Sequence, residues 1–424
     1  MNVRDTAFHF QPRIVPTGLP AVVSIRPLFE HALLPAEAKV EVTLCERDTR
    51  RRQLLEARRV DGGLTVVFTP DREQEYVLVV SATREGQPTK REEFPVYALA
   101  PDLMGLRPWK GDFHLHSNRS DGRESPPYVA AACRQIGLDF MALTDHRAYQ
   151  PSLDARAAFA DTAADLRIYP GEEVHPPDNP VHIVNFGGSF SVNARFAERA
   201  AYDQDVERLM ARAPAALTAE EKRQFASCVW TFEQIRRGSG LGILCHPYWI
   251  VGDAHNVSEA LQDALYAERC FDALELIGGF YRYQMESNAL AVARWQQGRA
   301  AGLDLPVVGV SDAHGCERGE LFGWYYSIVF AATTDFADLR QAICAGHCVA
   351  VEAVAGEFPR LFGSFRLVKL AYFLLREVFP LHDELCVEEG RLMRGFAGGE
   401  VAAAGPLAAL HGRVADLYRR LWGG

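Results

Sequence analysis

Two histidines separated by one residue, His114 and His116, open the stretch of the sequence with the clearest chemical potential. The pattern from Asp112 to His116 predicts a strand, and alternate side chains of a strand face the same side. Both imidazoles would therefore point one way, with Asp121 close behind in a Ser-Asp-Gly turn. Imidazole and carboxylate groups placed in this way predict a metal site. For a single His-x-His motif, a hydrogen-bonding role in the core is the alternative.

The same kind of strand ending recurs along the chain, which favours the metal site over the core role. The pattern predicts seven strands, over residues 112–116, 139–143, 166–173, 181–186, 241–245, 273–277 and 306–310. Five of them carry a histidine or an acid at or near the carboxyl end, among them His146, Glu173, His246, Asp312 and His314. Strands that alternate with helices predict a parallel α/β barrel, whose active site lies at the carboxyl ends of its strands.

The composition narrows the functional class. A formal net charge of −10 argues against a protein that coats nucleic acid, although it leaves room for a local cationic site. Nine cysteines occur without Cys-x-x-Cys pairs, and we find neither a signal-peptide pattern nor an apolar run long enough to span a bilayer. These features predict a cytoplasmic protein with reduced cysteines.

Three regions differ in their predicted secondary structure. Residues 1–106 contain short β-type runs that predict a β-sandwich-like domain. Residues 107–355 alternate strands with helices, and carry a polar helical insertion at about 193–237. Residues 356–424 show apolar residues at helical spacing and predict a helical C-terminal extension. The predicted fold class is therefore α/β.

Five signatures in this order resemble the PHP family, the polymerase and histidinol phosphatase superfamily of metal-dependent phosphoesterases. They are His114-x-His116 with Ser-Asp121-Gly, Thr-Asp-His146, Gly-x-Glu173, His246-Pro and Ser-Asp312-x-His314. The resemblance covers roughly residues 110–351 and implies a distorted seven-stranded β/α (TIM-like) barrel. The N-terminal region and residues 322–350 look more like the carbaryl-hydrolase-like metallohydrolase branch than like the polymerase-associated domains.

The resemblance also implies which residues hold metal. His114, His116, Glu173 and Asp312 would hold a first ion, and Glu173 would bridge to a second ion at His182 and His246. Asp121, His146 and His314 would hold a third. Nine imidazole and carboxylate ligands without a thiolate suit two or three ions of Zn, Mn or Fe. Among the nine we expect Glu173, Asp312, His146 and His314 to take part in catalysis.

Several further residues are weaker candidates. Arg119, Arg123 and Arg147, together with Arg318, lie in predicted loops at the barrel mouth and could bind a phosphate. A surface role is the alternative for each of them. Two further histidines, His175 and His255, could protonate a leaving group or serve the core. Glu172 is the alternative to Glu173 as the carboxylate that bridges two ions. We also expect Asp112 and Asp145 to orient the imidazoles of neighbouring ligands.

The sequence thus predicts a metal-dependent hydrolase that uses a metal-bridging hydroxide to cleave a phosphate ester of a small metabolite, nucleotide or oligonucleotide. A small phosphorylated substrate is the expected partner, and duplex nucleic acid is not. One alternative is a carbamate or carboxylic ester hydrolase with the same metals. Another is a non-catalytic scaffold that metal stabilises. The sequence does not determine the oligomeric state.

Overall fold

The computed structural model describes residues 5, 7–32, 34, 37–86, 88–317 and 321–423, and Arg318 lies outside them. The chain divides into two compact units. The first unit contains the residues up to Arg107, together with Lys369–Leu385 and the residues from Gly412 onward. The second unit contains Pro108–Val368 and Cys386–His411. The predicted boundaries at 106 and 355 stay predictions.

Two β-sheets form most of the first unit. Its strands are β1 Phe8–Gln11, β2 Ile14–Pro16, β3 Ala21–Pro27, β4 Lys39–Glu46, β5 Arg52–Leu55, β6 Ala57–Val60, β7 Gly63–Phe68, β8 Gln74–Thr83 and β9 Lys90–Leu99. One sheet has the order β1-β3-β7-β6 and the other the order β2-β9-β8-β4-β5. Buried and exposed residues alternate along β3, as expected for a strand with one face on a core. Side chains from both sheets, such as Ile25 and Leu78, share one hydrophobic cluster.

The second unit is built on two mixed sheets and a small hairpin. The strands from Arg107 onward are β10 Arg107–Asp112, β11 Phe140–Ala142, β12 Arg167–Tyr169, β13 Gly171–Val174, β14 Ile183–Phe186, β15 Leu241–Leu244, β16 Ile250–Val251, β17 Ala254–His255, β18 Ala273–Ile277, β19 Val307–Gly309, β20 Tyr325–Ala331, β21 Cys348–Glu352 and β22 Arg360–Phe362. One sheet has the order β12-β11-β10-β20-β21-β22 and the other β13-β14-β15-β18-β19, while β16 pairs with β17. Side chains from both larger sheets, among them Phe140 and Ile243, form one hydrophobic cluster.

The predicted α/β class is confirmed, but the closed seven-stranded barrel is not. In the described part of the chain, the strands expected in one barrel fall into the two sheets. The predicted strand over 166–173 breaks at Pro170 into β12 and β13, which lie in different sheets. Proline has no N–H to donate to a ladder, so it interrupts pairing there. Two isolated parallel bridges, Leu115 with Ala313 and His146 with Glu173, join the sheets beside the predicted ligands.

The first strand of the predicted barrel lies earlier in the sequence than expected. Strand β10 ends at Asp112, and beyond it only Leu115 forms a bridge. His114 and His116 therefore lie on an extended segment past the strand. This segment is held from both sides, because the N–H of Asp312 donates to the carbonyl of His114 at 2.9 Å and the N–H of His116 donates to the carbonyl of Ala313 at 3.0 Å.

Helices pack around these sheets and follow the predicted order. They are α1 Pro101–Met104, α2 Pro126–Gln135, α3 Gln150–Ala158, α4 Arg199–Leu209, α5 Ala219–Arg237, α6 Glu259–Glu268, α7 Met285–Ala300, α8 Phe336–Cys344, α9 Phe365–Glu377, α10 Phe379–Ala397, α11 Ala404–Leu410 and α12 Arg413–Leu421. The polar insertion forms α4 and α5, and a capping box between Thr218 and Glu221 starts α5. No described helix is both long enough and apolar enough to cross a membrane.

Candidate metal centre

The structure brings all nine predicted ligands together. Seven follow the carboxyl ends of β10, β11, β15 and β19, while Glu173 lies in β13 and His182 directly precedes β14. In this region the sheets meet and the backbone leaves regular pairing, so side chains from both sheets can converge. A contact between ring centroids or between an imidazole nitrogen and a carboxylate oxygen links each ligand to at least one other. The set is His114, His116, Asp121, His146, Glu173, His182, His246, Asp312 and His314.

Glu173 occupies the middle of this cluster and is fully buried. Its Oε2 lies 3.6 Å from Nε2 of His114 and 3.7 Å from Nε2 of His116. Its Oε1 lies 2.7 Å from Nδ1 of His182 and 3.5 Å from Nε2 of His246. Oε2 also contacts Nδ1 of His146 and lies 3.4 Å from Nε2 of His175. Each oxygen thus faces a different set of imidazoles, as a carboxylate that bridges two cations requires.

The neighbouring Glu172, the rival for the bridge, points into a different environment. It accepts hydrogen bonds from the side chains of Asn185 at 3.1 Å, Ser191 at 2.7 Å and Asn193 at 2.9 Å. These donors satisfy its oxygens, and its side chain is buried. Glu172 therefore anchors the segment after β14, while Glu173 faces the imidazoles.

Asp312 completes the group that contains the first two histidines. Its Oδ1 lies 2.8 Å from Nε2 of His116 and 3.3 Å from Nε2 of His114. The backbone of Asp312 has a φ of 48°, a left-handed conformation that is strained for a residue other than glycine. Gly279 makes room for it, because a Cβ at that position would lie 3.0 Å from Oδ2 of Asp312.

A third group lies nearer the solvent. Ligand atoms of His116, Asp121, His146 and His314 all lie within 4.8 Å of one another. Asp121 faces two of these histidines, with Oδ2 at 3.4 Å from Nε2 of His146 and Oδ1 at 3.3 Å from Nε2 of His314. The side chain of Asp121 is 56% exposed, so this group forms the mouth of the centre.

The pKa values of several ligands are shifted because charged groups lie close together in a buried space. Burial opposes a charge on His114, but the carboxylates of Asp312 and Glu173 outweigh it and raise the pKa of that imidazole well above 6.5. Burial would also keep Glu173 neutral, yet His114 and His146 hold its pKa well below the ordinary value. Burial lowers the pKa of His182 to about 4, although Glu173 works against this shift.

The residues present fit divalent metal ions. Several buried polar atoms of the cluster lack a hydrogen-bond partner, which is costly for such groups. They are Nε2 of His114, Nδ1 of His116, Nδ1 of His182, Nδ1 of His246 and both carboxylate oxygens of Glu173. Imidazole nitrogens and carboxylate oxygens are the ligands that Zn, Mn and Fe accept. A cation would satisfy these atoms and neutralise the carboxylates.

Asp112 and Asp145 position backbone rather than imidazole rings. Asp112 accepts hydrogen bonds from the N–H of His114 at 3.2 Å and of Ser311 at 3.1 Å. Asp145 accepts from the N–H of Ser117 at 2.9 Å and from the hydroxyl of Ser120 at 2.7 Å. Each carboxylate thus fixes the loop that presents a ligand, and the expected contacts with imidazoles are not among those of the described residues.

The cluster also contains residues that the sequence analysis did not assign to it. A carboxylate oxygen of Glu275 lies 3.1 Å from Nδ1 of His114. Nε2 of His175 lies 2.9 Å from Nδ1 of His146. Cys245 lies within ligand distance of His114 and His246, but burial raises the pKa of its thiol. The available signal was the lone acid of β18, Ala-Leu-Glu-Leu-Ile, inside an otherwise apolar strand.

A cavity of about 130 Å³ opens over the ligands. Its walls combine six ligands with the rings of Trp249 and Phe280. Arg119, Arg123 and Arg147 are exposed, and they are absent from its described lining. Their predicted contact with a phosphate stays a prediction, as does a catalytic role for the ligands.

Comparisons with known proteins found one short match to a curated protein and several solved structures with weak similarity. No protein-family model matches the chain. A stretch of 58 residues is 41% identical to the DNA polymerase/3'-5' exonuclease PolX of Bacillus subtilis. The match covers 14% of this chain and 10% of that protein, so the chain spans about a tenth of the length of this curated relative.

Solved structures with similar folds are distant in sequence. A two-domain protein from Bacteroides vulgatus that contains a predicted PHP-like metal-dependent phosphoesterase is 20% identical, with 65% of this chain and 72% of that chain covered and a TM-score of 0.43. A candidate metal-dependent phosphoesterase from Bifidobacterium adolescentis is 22% identical, with 55% and 95% covered and a TM-score of 0.36. An amidohydrolase from Chromobacterium violaceum is 18% identical, with 48% and 87% covered and a TM-score of 0.30. The placement of the chain near the carbaryl-hydrolase-like branch stays a prediction.

Proposed function

We propose that the protein is a metal-dependent hydrolase that cleaves a phosphate ester of a small metabolite, nucleotide or oligonucleotide. The observation that carries this proposal is the position of Glu173. A fully buried carboxylate without hydrogen-bond partners faces imidazoles on both of its oxygens. Such a carboxylate is costly in a protein without a cation to bind it.

The ligand groups would hold two or three divalent ions of Zn, Mn or Fe. His114, His116, Glu173 and Asp312 would hold the first, and Glu173, His182 and His246 the second. A third would lie between Asp121, His146 and His314 at the mouth. When bound, such ions supply Lewis acidity and lower the pKa of a coordinated water towards neutrality. The chain itself orients the ligands, with Asp112 and Asp145 fixing the loops that carry them.

Hydrolysis in this site requires few further groups. An oxygen from water forms a bond to phosphorus, the bond from phosphorus to the leaving oxygen breaks, and the leaving oxygen takes up a proton. The cavity over the ligands, at about 130 Å³, has room for a phosphoryl group beside the imidazoles. The rest of the substrate would extend past Trp249 and Phe280 towards the solvent.

Charge favours a phosphate ester over a neutral ester. Three carboxylates, Asp121, Glu173 and Asp312, do not neutralise two or three divalent cations. The remaining positive field stabilises an anionic phosphoryl group and its transition state more than a neutral carbonyl. Exposed arginines at the loops, Arg119, Arg123 and Arg147, would act in the same direction if they reach the substrate.

Two alternatives use the same residues. A carbamate or carboxylic ester hydrolase would need the same cations but a neutral substrate. A non-catalytic scaffold would use them only for stability, and the complete ligand set with its open cavity favours catalysis over that role. We further propose that the two sheets of the second unit represent a distorted seven-stranded barrel, and that the protein is cytoplasmic and acts on a small substrate.

A panel of substrates with a matched leaving group tests the chemistry. Protein loaded with Zn, Mn or Fe should hydrolyse nitrophenyl phosphate or bis-nitrophenyl phosphate faster than nitrophenyl acetate or an aryl carbamate. The same protein after chelation is the control. A preference for the acetate or carbamate would overturn the phosphoesterase proposal and retain the metal centre. No turnover of any substrate by metal-loaded protein would favour the scaffold.

A further inference from the structure

Glu275 is a buried acid with one polar contact to a predicted ligand. It lies in the middle of β18, between Leu274 and Leu276, and its side chain is 1% exposed. β18 pairs in parallel with β15 and β19, so Glu275 lies inside the sheet rather than at its edge. One carboxylate oxygen, Oε2, lies 3.1 Å from Nδ1 of His114. A charged residue in such a strand carries a large cost of desolvation.

The contact determines which nitrogen of His114 is available. An imidazole whose Nδ1–H donates to a carboxylate presents the lone pair of Nε2 on the other side of its ring. That Nε2 lies 3.3 Å from Oδ1 of Asp312 and 3.6 Å from Oε2 of Glu173, and it has no hydrogen-bond partner. Glu275 therefore contacts the ring on the side that faces away from the other ligands.

Other buried acids of the second unit differ from Glu275 in the hydrogen bonds that their carboxylates accept. Glu172 accepts from three side-chain donors, and Glu389 accepts from Nε of Arg134 at 2.8 Å. Glu275 has the contact with His114, while its Oε1 lacks a hydrogen-bond partner in the described structure. A purely structural acid would be expected to satisfy both oxygens, as Glu172 does.

We propose that Glu275 is a positioning residue that fixes the tautomer and the ring orientation of His114, so that Nε2 binds metal. The inference rests on the proposed metal-dependent function. Carboxylates that accept from the second nitrogen of a ligating histidine hold the ring in place and make it a better ligand. Glu275 contacts Nδ1 of His114, whereas Nε2 of the same ring faces Asp312 and Glu173, so Glu275 is placed to hold the ring and not the ion.

The test measures the zinc affinity of three variants. Glu275→Leu removes the acceptor, and Glu275→Gln keeps one carbonyl oxygen that can accept from Nδ1–H. Competition with a chromophoric chelator for zinc should show affinity about 10- to 100-fold weaker in the leucine variant. We expect a smaller loss in the glutamine variant. Glu389→Gln is the control, because it disturbs a buried acid of the same unit that does not contact the ligands.

A spectroscopic measurement separates positioning from a general structural effect. Long-range proton–nitrogen spectra of the zinc-loaded protein should show the proton of His114 on Nδ1. In the leucine variant that signal should lose the downfield shift of a strong hydrogen bond, whereas Glu389→Gln should leave it unchanged.

Two results would overturn the positioning role. One is zinc affinity of Glu275→Leu within twofold of the wild type, and the other is an equal loss in Glu389→Gln. If the leucine variant does not fold, Glu275→Met, which also removes the acceptor, is judged by the same criteria. Wild-type protein that binds zinc but hydrolyses no ester would refute the proposed function alone. Wild-type protein that binds none of Zn, Mn and Fe would refute both.

Discussion

Two buried clusters of charge in the second unit differ in how they are neutralised. In the first, Arg134 is fully buried, with Nη1 at 2.9 Å from Oδ1 of Asp139 and Nε at 2.8 Å from Oε2 of Glu389. In the second, the metal centre, Glu173 faces several imidazoles but both of its oxygens lack hydrogen-bond partners. In the first cluster hydrogen bonds join the opposite charges, and among the described residues the carboxylate of Glu173 has no such bond.

This difference distinguishes a structural site from a binding site. A buried ion pair with good geometry keeps its charges compensated within the protein. Arg134 also donates to the carbonyl of Leu138 at 3.0 Å, which secures the start of β11. The metal centre instead brings together imidazole nitrogens and carboxylate oxygens that lack hydrogen-bond partners among the described residues. An added cation would bind these atoms. Changes in the two clusters should therefore affect different properties.

The largest expected effect is the loss of activity after Glu173→Gln. The amide keeps the size of the side chain but removes the charge that would bridge two cations. We expect turnover to fall at least about a thousandfold, together with loss of bound metal. Assays of turnover and elemental analysis measure both. Glu172→Gln is the matched control, and activity of Glu173→Gln within a few-fold of wild type would refute the bridging role. His114→Ala should likewise abolish turnover with the fold intact.

Arg134→Met should affect stability and leave the metal centre intact. Removing the guanidinium leaves the carboxylates of Asp139 and Glu389 without it, which costs about 3–5 kcal/mol for a broken buried pair. Denaturant unfolding of the metal-free protein measures the change. Metal content per folded molecule should match that of the wild type. A large loss of metal without a loss of stability would reverse the distinction between the two clusters.

Bound metal should increase the stability of the protein through the metal centre and not through the cluster around Arg134. We expect purified protein to hold two or three equivalents of Zn, Mn or Fe. At free metal about 100 times above the dissociation constant, each occupied site adds about 2.7 kcal/mol to the free energy of unfolding. Thermal unfolding with and without a chelator tests this. Less than one equivalent in protein produced with these metals available would count against the centre.

Asp112 should make the free energy of unfolding of the metal-free protein depend on pH, and this effect should be smaller than those above. Burial raises the pKa of Asp112 from 3.8 to about 7, so the folded protein holds a proton that the unfolded chain releases. The stability that this bound proton contributes is fully present below pH 3.8 and is lost as the pH rises through about 7. Asp112→Asn keeps an acceptor for the N–H groups of His114 and Ser311 and should flatten this part of the profile. Identical profiles of the two proteins, measured by denaturant unfolding across this range, would refute the shift.

The smallest expected effect concerns Trp249 at the cavity wall. Its ring lies 5.6 Å from that of His246 and is partly exposed, so a leaving group can contact it. Trp249→Ala should raise KM for an aryl phosphate roughly two- to tenfold, as expected for the loss of one aromatic contact. KM for a small aliphatic phosphate and kcat for both should change little. Equal changes for both substrates would indicate a general distortion instead.

Residue types and local spacing were enough to predict most of the candidate site. The pairs His114 with His116 and Asp312 with His314, and the acids and histidines at other strand ends, predicted a metal site there, and the family resemblance implied the nine residues that converge. Strand and helix order also followed from apolar periodicity. The prediction failed at Pro170, where one expected strand divides between two sheets, because pairing partners distant in sequence determine sheet membership.

Only the tertiary structure decided the roles of adjacent or distant acids. Glu172 and Glu173 are both suitable ligands by type, and consecutive residues of a strand face opposite sides. The pairing of β13 with β14 directs Glu173 to the imidazoles and Glu172 to Asn185 and its neighbours. Glu275 meets His114 across 161 positions of sequence, a contact that no local pattern contains. The sequence determined which ligand types were present, and the register of the strands determined which of them face one another, because a shift of one residue exchanges the two faces of a strand.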